Sequence, residues 1–176
     1  MKLFVARHGQ TEWNVQNKVC GITYISLTEV GIEQAKKLAE EVRDRKIEFI
    51  ITSPLSRTVE TCKIILNTCD IEYTVDSRLI EQNYGIYEGV DRRNEDFLKN
   101  KKDFAYRYPN GESMLQVTYR VYDLINEVKE KYKNQNIMFI SHGGVCRIIN
   151  TYFKDMTNKD FFEYTLENGK LEEYYV

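Results

Sequence analysis

Only two histidines occur among the 176 residues. Both sit in the same local setting, an apolar run, a histidine and then glycine: Phe4-Val5-Ala6-Arg7-His8-Gly9 and Phe139-Ile140-Ser141-His142-Gly143-Gly144. Imidazole has an unperturbed pKa of about 6.5, so near neutral pH a useful fraction is unprotonated and nucleophilic. A lone histidine after a strand more often satisfies a structural hydrogen bond than performs chemistry. The duplicated setting reverses that preference. Taken alone, the pair admits a metal pair, an acid/base pair or structural use.

Two arginines narrow the choice. Arg7 adjoins His8, and a guanidinium matches phosphate oxygens in a two-pronged fashion. Arg57 follows Ser53-Pro54, which reads as an N-cap with proline at the first helical position. A cation in the first turns of a helix opposes the helix dipole unless an anion is bound there. The plain alternative is a surface pair between Arg57 and Glu60.

The elements that must position these groups follow from hydrophobic period and capping signals. Lys2 to Ala6 predicts a short buried strand, Ile47 to Thr52 a second, Glu72 to Val75 a third and Ile137 to Ile140 a fourth, with an edge strand at Leu171 to Tyr175. Thr28 caps a helix carrying Ile32, Ala35, Leu38, Ala39 and Val42 at helical spacing. The Ser53-Pro54 helix runs to about Leu66. Ser113-x-x-Gln116 is a capping box opening a helix with Val117, Val121, Leu124, Ile125, Val128 and Tyr132 on one face, and Val145 to Tyr152 predicts the last. Between Arg78 and Gly111 the pattern is irregular, with one helical piece at Glu95 to Tyr106. Strands alternating with helices point to a three-layer, doubly wound α/β fold with a mostly parallel sheet and helices on both faces. Both histidines then lie just past C-terminal strand ends, where such sheets bind ligands.

Composition sets bounds. Apolar residues make up 42% and charged residues 30%, a globular balance that fits one domain spanning 1–176. No apolar stretch approaches the roughly 20 residues of a spanning helix, and no secretory signal is evident, so a cytoplasmic protein without membrane association is expected. A net charge of -2 lacks the basic excess that drives nucleic acid binding. Cys20, Cys62, Cys69 and Cys146 lack C-x-x-C spacing, which argues against zinc and a disulfide framework.

The sequence resembles the histidine phosphatase superfamily, the phosphoglycerate mutase-like group, over nearly its whole length. The blocks that carry the resemblance are Arg7-His8-Gly9-Gln10-Thr11 with Trp13-Asn14, Leu27-Thr28 with Gly31 and Gln34-Ala35, Ser53-Pro54-Leu55-Ser56-Arg57-Thr58 with Thr61, Glu81 with Asn83-Tyr84-Gly85 and Glu88-Gly89, Gly111-Glu112-Ser113, and Ser141-His142-Gly143-Gly144. The resemblance implies that His8 attacks phosphorus and that Arg7, Arg57 and His142 bind and neutralise the phosphoryl oxygens. It makes Glu81 the proton donor to the leaving group and Asn14 another phosphate ligand. The backbone N–H of Gly143, starting a helix, adds a further contact. No metal and no cofactor is called for.

Physical chemistry supports that assignment. Charge on a transferring phosphoryl group spreads over three oxygens, so positioned cations matter more than covalent chemistry. One imidazole nitrogen attacks while the other is held by an acceptor, here expected to be a backbone carbonyl. Burial beside the phosphate would favour a protonated Glu81. Glu88 and Glu12 compete locally for that role, Ser113 reads as a helix cap rather than a phosphate contact, and Trp13 and Tyr84 read as packing residues.

The 86–111 stretch is expected to cover the pocket as a lid, carrying Arg92, Arg93, Lys99, Lys101, Lys102 and Arg107 among Phe97, Phe104, Tyr106 and Tyr108. It suits a phosphorylated organic molecule with other anionic or ring groups, or else is a solvated amphipathic helix balanced by Glu95, Asp96 and Asp103. Gln10, Tyr24, Ser26 and Asn110 depart from the family pattern at the pocket rim, which loosens substrate preference more than reaction type. The expected function is metal-independent hydrolysis of a small phosphorylated metabolite through phosphohistidine. The alternatives are mutase-type transfer, for which the chain is short and lacks enclosing insertions, and non-catalytic phospholigand binding. An exposed edge strand near Leu171 would permit a homodimer.

Overall fold

A computed structural model describes residues 1–176. Five strands form one sheet in the order β3-β2-β4-β1-β5, with β1 at Lys2–Arg7, β2 at Phe49–Thr52, β3 at Glu72–Val75, β4 at Ile137–Ser141 and β5 at Leu171–Tyr175. The first four are mutually parallel and β5 runs antiparallel to β1. The fold is therefore the expected doubly wound, mostly parallel α/β sandwich. Its three longer crossovers are α2 (Glu29–Arg43), α3 (Ser56–Leu66) and α5 (Met114–Lys131), and α6 (Gly143–Phe153) follows β4.

Side-chain alternation explains why both faces are covered. Phe4 and Ala6 of β1, with Ile50, Met138 and Ile140, pack beneath Leu38, Ala39 and Val42 of α2 and Cys62 and Ile65 of α3. Leu3, Val5, Ile51, Ile137 and Phe139 point the other way, onto Val121, Leu124 and Ile125 of α5 and Val145 and Ile149 of α6. Strands that are apolar at every position can satisfy two helical layers at once. The outermost β3 escapes this rule, with all four residues exposed.

Four local expectations need correction. The helix after Ser53-Pro54 starts later, at Ser56 with Leu55 as its capping position, because the Ser53 N–H bonds Ile140 O at 3.0 Å and prolongs the sheet. The helical piece of the 86–111 segment, α4 (Glu95–Lys101), stops at Lys101 rather than Tyr106; the Asp103 carboxylate then accepts the N–H groups of Ala105 and Tyr106 in a turn. Short helices α1 (Glu12–Val15) and α7 (Asn158–Glu163) were not anticipated, yet each has a reciprocal capping box, Thr11 with Asn14 and Thr157 with Asp160. Asn and Asp replace the Glu or Gln usual at the third helical position, which hid the signal.

The 86–111 segment contributes to a small separate core. Val19, Phe97 and Tyr108 form it, with Tyr84, Tyr87, Val90 and Tyr106 around it. Phe104 instead joins Phe161 and Phe162 of α7, with ring centroids 5.0 and 5.3 Å away. Most aromatics of the segment thus pack on one another and on Val19 and Tyr84.

Phe139, fully buried in the central β4, tests the sheet that carries both histidines. Phe139→Ala is expected to cost about 3–5 kcal/mol of folding stability through lost burial and the cavity left behind. Urea denaturation should show a lower midpoint with little change in slope.

Candidate active site

Parallel pairing of β1 and β4 sets Arg7 opposite Ser141, and the His8 N–H continues the ladder to Ser141 O at 3.0 Å. The two histidines therefore leave adjacent strands at the same level. Their ring centroids are 5.2 Å apart. His8 is 4% exposed and His142 fully buried.

Each ring has a defined hydrogen-bonding state. His8 Nδ1 lies 2.6 Å from Gly9 O and must donate there, which leaves Nε2 as an unprotonated acceptor without a protein partner. The Gly9 loop is held in turn by Thr61, whose hydroxyl accepts the Gly9 N–H. Arg57 Nε–H donates to His142 Nδ1 at 3.1 Å, so the proton on His142 sits on Nε2 and is donated to Ser53 Oγ at 2.7 Å. Burial, then Arg57, then Arg7 hold His8 well below the ordinary imidazole pKa. For His142 the causes are burial, Arg57, His8 and Arg7. Both rings are neutral in the free protein.

A cavity of about 180 Å³ opens beside them, with Arg7, His8, Asn14, Glu81, Gly143 and Gly144 among its lining residues. Arg7 gives one N–H to Leu166 O, while its Nε is buried without any partner. A buried guanidinium N–H left unpaired is costly unless an acceptor arrives. Asn14 Oδ1 accepts from the Thr11 N–H and hydroxyl and from Asn168, so its amide N–H₂ remains unused. Gly143 is the first residue of α6, whose N–H has no intrahelical partner. The groups converging here are cations and donors, which attract an anion. No cluster of three or more His, Cys, Asp or Glu side chains gathers anywhere as a metal centre would need.

Glu81 lines this cavity from a loop between strands. Its Oε2 accepts the Gly144 N–H at 2.9 Å and its Oε1 the Gln82 N–H at 2.9 Å, so the carboxylate caps the N-terminus of α6. A Cβ at 144 would lie 2.5 Å from Glu81 Oε1, so any larger residue there would push this carboxyl aside. Glu88 is occupied elsewhere, taking the N–H groups of Gly21, Ile22 and Tyr84 and the Thr23 hydroxyl. Glu12 is exposed on α1.

The structure brings the predicted set together but divides it into two layers. Arg7, His8, Asn14, Glu81 and Gly143 line the cavity, whereas Arg57 and His142 stand behind it. Arg57 is 1% exposed and also donates to Thr23 O at 2.9 Å and Gly21 O at 2.7 Å. It makes no pair with Glu60, which instead accepts the Leu27 N–H. Ser113 is the helix cap the sequence indicated.

Several residues escaped the sequence reading. Ser53 orients His142, and Asn168 donates to His8 O at 2.9 Å. Arg147 lines the cavity together with Arg92 and Lys101; it lies one helical turn after Gly143, a spacing that could have revealed it. Of the other lid cations, Arg93 pairs with Asp91 and Arg107 bonds Gly111 O, while Lys99 and Lys102 are exposed. Lys101 has no ion-pair partner, and burial together with Arg147 and Arg92 pulls its pKa down to about 8.

Comparison with known proteins agrees with this geometry. Residues 3–175 match the histidine phosphatase superfamily (branch 1). The chain belongs to that family. It is 33% identical over 150 residues to the "Probable phosphoglycerate mutase GpmB" of Yersinia pestis (strain Pestoides F), covering 81% of this chain and 70% of that protein. The alpha-ribazole phosphatase from Shigella flexneri superposes with a TM-score of 0.86 at 26% identity, covering 98% of this chain and 89% of the other. Bacillus stearothermophilus YhfR shares the fold with a TM-score of 0.89 at 24% identity over 99% and 91% of the two chains. Family members are enzymes that include phosphatases and mutases. No helix here is long and apolar enough to cross a membrane.

Neutral buried histidines have a measurable consequence. Their folded pKa values lie below the unfolded value of about 6.5, so the unfolded chain binds the extra protons as pH falls. Stability is therefore complete above about pH 6.5 and declines below it, by up to about 1.4 kcal/mol per pH unit for each histidine. Denaturation between pH 7 and 5 should show this decline, weaker in His142→Gln, and both imidazoles should stay unprotonated by NMR in the folded protein throughout that range.

Proposed function

We propose that the protein is a metal-independent phosphatase acting on a small phosphomonoester through phosphohistidine on His8. One observation carries the reading: a neutral imidazole with its Nε2 free, Arg7 with an unpartnered Nε–H, and Glu81 line one small cavity. Phosphate oxygens take the Arg7 N–H, the Asn14 amide and the Gly143 N–H. Arg57 and His142 support that charge from behind. An incoming phosphate and the Glu81 carboxylate would compete for the N-terminus of α6.

His8 Nε2 attacks phosphorus as the ester P–O bond breaks, and the departing alkoxide takes the Glu81 proton. Water then attacks the phosphohistidine while Glu81, now a carboxylate, accepts its proton. The N–P bond breaks, inorganic phosphate leaves and the His8 lone pair is restored. Mutase-type transfer shares every step up to the phosphohistidine and differs in returning the group to a bound organic acceptor. The mutase name of the curated relatives gives that reading its place as the alternative.

Arg92, Lys101 and Arg147 add three cations to the cavity lining, together with Tyr84 and Phe97. This is more positive charge than one phosphate needs. The substrate proposed is accordingly a phosphorylated metabolite with a second anionic group, held under the lid.

Purified protein with excess chelator should release phosphate from an aryl phosphate, and His8→Ala should abolish release. Loss of activity on chelation, or full activity in His8→Ala, would sink the proposal. With a phosphoglycerate as substrate, free phosphate rather than an isomer should accumulate. For dianionic-headed substrates bearing a second anion, kcat/KM should fall above about pH 8 as Lys101 loses its proton, and Lys101→Arg should flatten that limb.

A further inference from the structure

We infer that Arg120 is a positioning residue for the Glu81 carboxyl, acting with Glu112 as a clamp on the loop that carries it. This rests on the reading of Glu81 as proton donor. Glu81 sits between Ser77–Leu79 and Gly85–Tyr87, two single 3₁₀ turns, with no strand ladder to fix it. Its carboxylate touches only backbone N–H groups, those of Gln82 and Gly144. No side chain steers it directly, so the position of its own backbone decides where the proton is delivered.

Arg120 of α5 supplies that backbone position. Its Nη1 donates to Arg78 O at 2.7 Å and its Nη2 to Glu81 O at 3.3 Å. Nε and Nη2 also fork onto the two oxygens of Glu112, both at 3.1 Å. Glu112 passes the restraint on, its Oε2 accepting the Asn83 N–H at 3.0 Å and its backbone pairing with Asn83 O and the Gln82 amide. One planar guanidinium thus ties three points, the carbonyl before the loop, the carbonyl of Glu81 itself and the carboxylate that holds the Asn83 N–H. The Arg120 side chain is only 15% exposed, so solvent competes little for these bonds. A lysine could not replace it, because a point charge cannot satisfy a fork and two carbonyls together. Leu79 O is anchored separately by the Ser141 hydroxyl at 2.8 Å, which leaves the Glu81 end of the loop dependent on Arg120.

A misplaced acid slows proton transfer without touching the nucleophile, and displacements near 1 Å are worth on the order of 100-fold. The test measures kcat/KM for a series of phosphomonoesters with leaving groups from nitrophenols to alcohols, in wild type, Arg120→Gln, Arg120→Lys, Glu112→Gln and Glu81→Gln. Arg120→Gln and Arg120→Lys are expected to lose about 10- to 100-fold with alkyl esters and less than about 3-fold with nitrophenyl esters. In the Glu81→Gln background, adding Arg120→Gln should cause no further loss with alkyl esters. Equal losses for all leaving groups, no loss at all, or a full additional loss in the double variant would each overturn the positioning role. If Glu81→Gln itself fails to steepen the leaving-group dependence, the proton-donor reading falls first, and this inference with it.

Discussion

The parallel hydrogen-bonded register of β1 with β4 is the constraint on which the site depends. It sets Arg7 beside Ser141 and sends His8 and His142 off two neighbouring strand ends at one height. Shifting that register by one residue would turn every side chain of a strand to the opposite face. Because both strands are apolar on both faces, such a slip would cost little in hydrophobicity, so the register is held by other means. The helices above and below fit side chains of particular size, and the His8 N–H closes the ladder on Ser141 O.

Placing two imidazoles and two guanidiniums together out of water creates an electrostatic problem that the surrounding backbone resolves. Arg57 is neutralised by no carboxylate but is solvated by the carbonyls of Gly21 and Thr23 and by His142. The histidines answer the same field by staying neutral. Arg7 alone keeps a buried donor unpaired. An environment of this kind is preorganised for an anion, because its dipoles and charges already point where the negative charge will sit. The Glu81 carboxylate at the first turn of α6 is the one negative group admitted, and it occupies ground that an incoming phosphate would contest.

Much of this was legible from residue order. The duplicated strand-His-Gly segments, the capping box at Ser113 and the blocks around Arg57 and Glu81 carried the fold class and most members of the site. Signals that depend on one or two neighbouring residues are readable wherever the residue types are the usual ones; α1 and α7 were missed because Asn14 and Asp160 complete their caps instead of Glu or Gln. The start of α3 was misplaced because Ser53 was read as a local cap, when its N–H and hydroxyl are both claimed by a strand and a histidine nearly ninety positions away.

Sequence alone therefore determined the secondary-structure alternation, the doubly covered sheet and the strand-His-Gly setting of both histidines, since periodicity and short motifs are local properties of the chain. Tertiary structure decided which side chains meet the cavity and which stand behind it. It put Arg57 and His142 in the second layer, drew Arg92, Lys101 and Arg147 from two separate helical segments and a loop to one cavity, and gave the Glu81 loop its tether to Arg120. The physical reason is that a hydrogen bond or a shared cavity wall between residues dozens of positions apart is set by strand order and helix packing, to which no local pattern refers.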